Sequence, residues 1–197
     1  MSEPLPPSAP PVRHPISLVD TDQLRRSRLT VFFRLLLAIP HFIWWYLWGI
    51  ASFLAAFVAW VIGIFTGRVP DGLHNFLAAY TRYTAHVYSY LWIAADPYPG
   101  FMGQPGYPMD LVIAPPESQS RLTIGFRLIL AIPAVIVAYV LQQVASLLAI
   151  VAWFVALFTA KLPRGLEDIL AYCVRYQAQA HGYVFLLTQR YPSFADE

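Results

Sequence analysis

Long stretches without a single charge alternate along this chain with short polar joints, and the alternation occurs twice. No Asp, Glu, Lys or Arg lies between Arg34 and Arg68 or between Arg127 and Lys161, and each gap holds 33 residues. About 20 apolar residues are enough to cross a bilayer, so the gaps predict long apolar helices over 42–66 and 135–159. The stops that follow, TGRVPDG and TAKLPRG, carry helix-ending chemistry: a small residue, a cation at the negative end of the dipole, and a proline that cannot continue the helix. A further helix is predicted after each stop, over 72–95 and 165–188. Well ahead of the apolar runs, HPISLVD and YPMDLVI read as short extended arms or brief strands.

The two halves are copies. Residues 15–101 align with 108–194 at a constant offset of 93, with 35 identities in 87 positions and no gap. The most similar part is SRLTVFFRLLLAIP (27–40) against SRLTIGFRLILAIP (120–133). A repeat of this length fixes the organisation before any other signal: a Pro-rich tail over 1–14 expected to be disordered, unit 1 at 15–101, a linker at 102–107 and unit 2 at 108–194.

Residues 29–66 as one straight helix would measure about 57 Å at 1.5 Å per residue, against a hydrocarbon core of about 30 Å. A kink or break at Pro40 is the expected resolution. It makes 28–39 a separate interfacial helix, with the aromatic cluster Trp44, Trp45, Tyr46 and Trp48 at headgroup level. Arg28, Arg34, Arg121 and Arg127 are then candidate contacts to lipid or to a partner. Two readings stay open for Arg34 and Arg127: interfacial anchors whose heads snorkel to the surface, or the lining of a shared anionic-lipid or ligand pocket.

The second helix of each unit carries a polar stripe. Asn75, Arg82 and His86 recur at helical spacing, as do Asp168, Arg175 and Gln179 at the equivalent places. Such a helix crosses the membrane with its stripe turned to a partner or cleft, or lies in the interface. Four crossings are expected, with both termini cytoplasmic and the units related by an axis along the membrane normal; two crossings are the alternative. The fold class is therefore an all-α integral membrane protein built by tandem duplication, each unit an interfacial helix, a transmembrane helix and an amphipathic helix.

Composition agrees. The chain is 58% hydrophobic and 12% charged, where soluble domains keep about a quarter of their residues charged. Arg25, Arg26, Arg28 and Arg34 crowd the first apolar span, which predicts a cytoplasmic N-terminus and affinity for anionic lipid. A membrane protein partner or a homo-oligomer fits the same surface. Nucleic acid does not, because the basic residues flank hydrocarbon-length segments. The single cysteine, Cys173, leaves no internal disulfide, and the five histidines lack metal-ligand spacing. No catalytic or cofactor-binding set is recognisable, so no cofactor and no enzyme activity are expected.

The order F-x-R-x-x-L-A-I-P, then L-F-T-G-R-x-P-x-G, an Arg-bearing helix and a final Y-P-x-F resembles a bacterial membrane family, the domain of unknown function 4389, in two tandem copies. The second copy departs with IPA and FTAKLPRG, so His41 and Gly67 are not required in both. The resemblance implies membrane placement and no chemistry. A non-enzymatic accessory or scaffold protein binding lipid or a membrane complex is the expected function. The alternative is a small transporter or channel using the Arg82 and Arg175 helices.

Overall fold

The computed structural model describes residues 14–195. The expectation for the tail therefore lies outside the described residues, except for His14, which is buried. Strand β1 (Ile16–Asp20) leads into the long helix α1 (Arg28–Thr66) and the shorter α2 (Asp71–Leu91). Unit 2 repeats the order as β2 (Met109–Ile113), the single turn α3 (Arg121–Gly125), α4 (Arg127–Thr159) and α5 (Arg164–Val184).

The helix boundaries follow from local chemistry. Ser27 caps α1 by accepting from the Thr30 amide, which satisfies one of the orphan donors of a helix start. At the other end Gly67 sits at φ +73 and its amide returns to the Gly63 carbonyl, the left-handed closure that glycine adopts without a Cβ penalty. Its counterpart in unit 2 is Ala160, held in the same conformation at φ +56.

Two expectations about the long helices are corrected, the break at Pro40 and the separate helix over 28–39. Helix α1 runs unbroken through Pro40, and α4 through Pro133. A proline removes one hydrogen bond and strains one turn, but Ala38 and His41 beside Pro40 are fully buried, and their packing carries the helix across. Unit 2 does have a break, at Phe126, seven residues before its proline. Among the described residues a separate helix ahead of the long one thus exists in unit 2 only, and as one turn. Among the described residues only α1 and α4 are long and apolar enough to cross a membrane. The four crossings expected from the sequence therefore find no support; α2 and α5 are too rich in buried polar side chains, among them His74, Thr81, His86, Gln177 and Gln179.

The extended arms pair with each other. β1 and β2 form an antiparallel ribbon with Leu18 opposite Leu111, two residues that are themselves equivalent by the repeat. A pseudo-twofold axis therefore passes through this pair, and contacts elsewhere obey it. The Arg26 amide donates to the Ala160 carbonyl at 3.0 Å, as the Gln119 amide does to Gly67 at 2.8 Å. Trp153 Nε1 donates to the Val31 carbonyl, and Trp60 Nε1 to that of Ile124, each at 2.9 Å. The start of each long helix is thus tied to the end of the other, so α1 and α4 are antiparallel. Trp60 and Trp153 are the clasps between units.

Three layers stack along the axis. α1 and α4 form one outer layer, α2 and α5 pack on them and on each other, and the ribbon lies on α2 and α5. The arms are exchanged: β2 of unit 2 packs on α2, and β1 of unit 1 on α5. Gly182 makes room for this, because a Cβ there would meet the Ile16 side chain. The mixed core holds Ile16, Leu77, Met109, Leu111, Leu170 and Val174 between the layers.

Candidate functional site

The outer layer of long helices is where the molecule departs from a soluble protein. Leu35 is 71% exposed, Phe65 73%, Phe158 73% and Leu122 74%, and the same exposure recurs along both helices from Leu29 to Phe65 and from Leu128 to Phe158. A soluble monomer seldom shows a contiguous apolar patch beyond a few hundred Å². Cations stand at the ends of this face. Arg28 and Lys161 are exposed at one end, and Arg68 and Arg121 at the other. Arg28 Nη2 also donates to the Phe158 carbonyl at 2.9 Å, tying it to the end of the opposite helix.

The four arginines proposed as lipid or partner contacts therefore divide. Arg28 and Arg121 are exposed on the rim, whereas Arg34 and Arg127 are 2% and 0% exposed. Neither snorkels and they share no pocket, because each is consumed inside its own unit. Arg34 Nη1 donates to the carbonyls of Tyr90 (2.6 Å) and Ala95 (3.1 Å), and Nη2 to Asp96 at 3.0 Å. Its guanidinium lies 4.4 Å from the Tyr90 ring centroid. Arg127 repeats the arrangement with the Thr188 carbonyl at 3.1 Å, the Gln119 amide oxygen and the Tyr183 ring at 4.1 Å. A cation at the C-terminal end of a helix complements its dipole and its unpaired carbonyls, so these arginines lock the end of the second helix to the start of the first.

The polar stripes face no partner helix; the exchanged strand covers Arg82 and His86 in unit 1 and meets Gln179 in unit 2, where the rest of the stripe lines a cleft. Arg82 Nε donates to the Leu111 carbonyl at 3.1 Å and lies 3.3 Å from Asp110, while His86 Nε2 is 2.9 Å from the same carboxylate. Burial opposes the charge on Asp110, yet the Gly106 amide, His86 and the Leu111 amide outweigh it and hold the carboxyl below its ordinary range. Burial likewise lowers His86, against the pull of Asp110. In unit 2 Gln179 Nε2 donates to the Ile16 carbonyl at 3.1 Å, and its oxygen accepts from the Ser193 amide at 2.9 Å. Arg175 lies over the Tyr172 ring and reaches the Phe194 carbonyl. Asn75 and Asp168 stand exposed near the starts of their helices, apart from these contacts.

Sequence reasoning missed an acidic knot beside the ribbon. Arg26 Nε and Nη2 donate to the carbonyls of Ile93 and Ala94, and Nη1 meets Asp22 at 2.6 Å. Ile93 is held at φ +64, a conformation that costs a β-branched residue of order 1–3 kcal/mol. Glu167, 3.8 Å from Arg26, has its carboxyl pushed up to about 7 by burial, with Asp20 and Asp22 adding and Arg26 opposing. Position 119 in unit 2 has glutamine where Arg26 stands, so the repeat carried no signal for this group.

The units also differ on the apolar face. A groove of about 490 Å³ opens between α1 and α4 beside Arg34, Leu35, Trp92, Ser146, Ile150 and Trp153, so Arg34 borders a cavity in unit 1 that Arg127 does not share. The positions equivalent to Ser146 and Ile150 carry Phe53 and Phe57, so bulky rings stand where the smaller side chains leave the groove open. On the ribbon side a cleft of about 600 Å³ lies against His14, Asp20, Asp168, Tyr172, Arg175 and Gln179.

A family model described as Domain of unknown function (DUF4389) matches residues 28–103 and 121–196. The chain belongs to the DUF4389 family. The two matches are the helical parts of the two units, the first from the start of α1 and the second from the start of α3, each running to the segment after the unit's last helix. DUF4389 sequence similarity thus covers the helices, and the arms that exchange between units lie before each match. No curated protein and no solved structure matches the chain.

Proposed function

We propose that this protein is a non-enzymatic membrane protein of the bacterial cytoplasmic membrane, an accessory or scaffold element that holds anionic lipid on one face and presents its ribbon side to a membrane partner complex. One observation carries the reading: an apolar face running the length of α1 and α4, with exposed cations at both ends. Headgroup phosphates meet Arg28, Arg68, Arg121 and Lys161, each such residue near an anionic surface contributing about 1 kcal/mol. The groove beside Ser146 and Ile150 takes one acyl chain, since its lining is almost wholly apolar and it opens on the same face. The N-terminus lies in the cytoplasm, the side that anionic lipid and the positive-inside tendency favour for the exposed Arg25 and Arg28. Transport is the weaker reading, because the Arg82 and Arg175 guanidinium groups are engaged by the Leu111 and Phe194 carbonyls.

The test is partition between carbonate-washed membranes and supernatant, followed by binding to vesicles of phosphatidylglycerol or of phosphatidylcholine. Retention in the washed membrane and preference for phosphatidylglycerol that falls on replacing Arg28 and Arg121 by Gln are expected. Release by carbonate, or equal binding to both vesicles, contradicts the reading.

A further inference from the structure

We infer that the two long helices lie within one leaflet instead of crossing the bilayer, with the pseudo-twofold axis along the membrane normal and the ribbon in water. The inference rests on the membrane reading above and adds how the molecule sits. Its first support is length. Exposed apolar side chains run from Leu29 to Phe65 on α1 and from Leu128 to Phe158 on α4, about 54 Å and 45 Å at 1.5 Å per residue. A crossing that kept the α1 run inside a core of about 30 Å would need a tilt near 55°, outside the observed range of about 0–40°.

The second support is the position of the ribbon. α1 and α4 are antiparallel and exchange places about an axis that also passes through the Leu18 and Leu111 pair. That axis is perpendicular to all three layers. If the long helices stood along the normal, the axis would lie at mid-depth and the ribbon would sit beside hydrocarbon. The ribbon has two open edges and carries exposed Asp20 and part-buried Asp110. Open strand edges do not occur in lipid, and carboxylates at that depth are costly. With the helices in the plane the same ribbon is the part farthest from the membrane.

The third support is charge and thickness. Arg28 and Lys161 at one end and Arg68 and Arg121 at the other come to a single headgroup level when the helices lie flat. One helix layer is about 10–12 Å across and half a hydrocarbon core is about 15 Å deep, so the layer fits inside one leaflet.

Single cysteines test this, since native Cys173 is buried. Asp71→Cys, Arg164→Cys, Gln104→Cys and Val112→Cys place thiols at exposed sites at the two ends, on the linker and on the ribbon. A membrane-impermeant maleimide is applied to spheroplasts and to inverted vesicles. The in-plane arrangement predicts that all four label in inverted vesicles and none in spheroplasts. Labelling of positions 71 and 164 from opposite sides means two crossings and overturns it. Labelling of 71 and 164 from one side and 104 from the other means four crossings and overturns it equally. Recovery of the chain in the soluble fraction, as a dimer burying its apolar faces, would instead bring down the membrane reading itself.

Discussion

Replacing Arg34 distinguishes an internal lock from a lipid ligand. Its guanidinium makes three hydrogen bonds and stacks on Tyr90, so Arg34→Leu takes the donor from the Ala95 carbonyl and the charge partner from Asp96, while Tyr90 keeps the Ile93 amide and Asp96 the Ser27 amide. Breaking a buried ion pair from one side costs about 3–5 kcal/mol. The Asp96 side chain is 27% exposed and regains water, which brings the expected loss to about 2–4 kcal/mol. For a chain of this size that lowers Tm by about 5–15 °C. Arg34→Lys keeps the charge but not the fork that serves three acceptors at once, and falls between. Arg28→Leu, on the exposed rim, costs under about 1 kcal/mol. The assay is thermal unfolding in detergent micelles by circular dichroism, paired with binding to phosphatidylglycerol vesicles. An Arg34→Leu protein with unchanged Tm and lost vesicle binding would refute the reasoning and make Arg34 a headgroup ligand after all.

Other consequences follow from the symmetry and its exceptions. Ala160→Gly relieves a left-handed alanine and raises stability by about 1 kcal/mol, whereas Gly67→Ala lowers it and places a Cβ 3.3 Å from the Gln119 carbonyl; denaturation midpoints of the two variants should move in opposite directions. Trp60→Phe and Trp153→Phe each remove one donor between units and should cost similar amounts, about 1 kcal/mol, with a large difference arguing against the axis. Glu167, raised to about 7 in the folded chain, binds its proton more tightly folded than unfolded. Stability is therefore highest in mild acid and falls as pH rises through about 5 to 7; Tm measured across that window should drop, and Glu167→Gln should abolish that part of the drop. Ser146→Phe copies Phe53 into the groove, and mass spectrometry of the purified protein should find less bound lipid; unchanged lipid content would remove the groove as an acyl site.

The duplication, the long apolar helices and the extended arms were legible because each is a local property: identity at a fixed offset, absence of charge, or a proline before an apolar run. The pairing of the arms was not. Strand partners are chosen by contacts between residues about 93 positions apart, and neither HPISLVD nor YPMDLVI says which helix it will cover. Arg34 and Arg127 were visible as oddities in apolar surroundings, but their acceptors are backbone carbonyls at the end of another helix, and a carbonyl leaves no mark in the sequence. The break expected at Pro40 is absent for a related reason. The cost of a proline in a helix is local and readable, while the packing of Ala38 and His41 that offsets it is tertiary. The exposed pair Arg28 and Arg121 was identified, and so were the stripe residues; what covers the stripes was not.

The long helices run antiparallel about the pseudo-twofold axis, so their orientation in a bilayer is the most direct measure of the account. Polarised infrared spectroscopy of the protein in aligned phosphatidylglycerol-containing bilayers reads it from the dichroism of the amide I band. Helix axes in the membrane plane are predicted, with one shared orientation for the long and short pairs. Axes along the membrane normal would contradict the arrangement and return the long helices to crossing the bilayer.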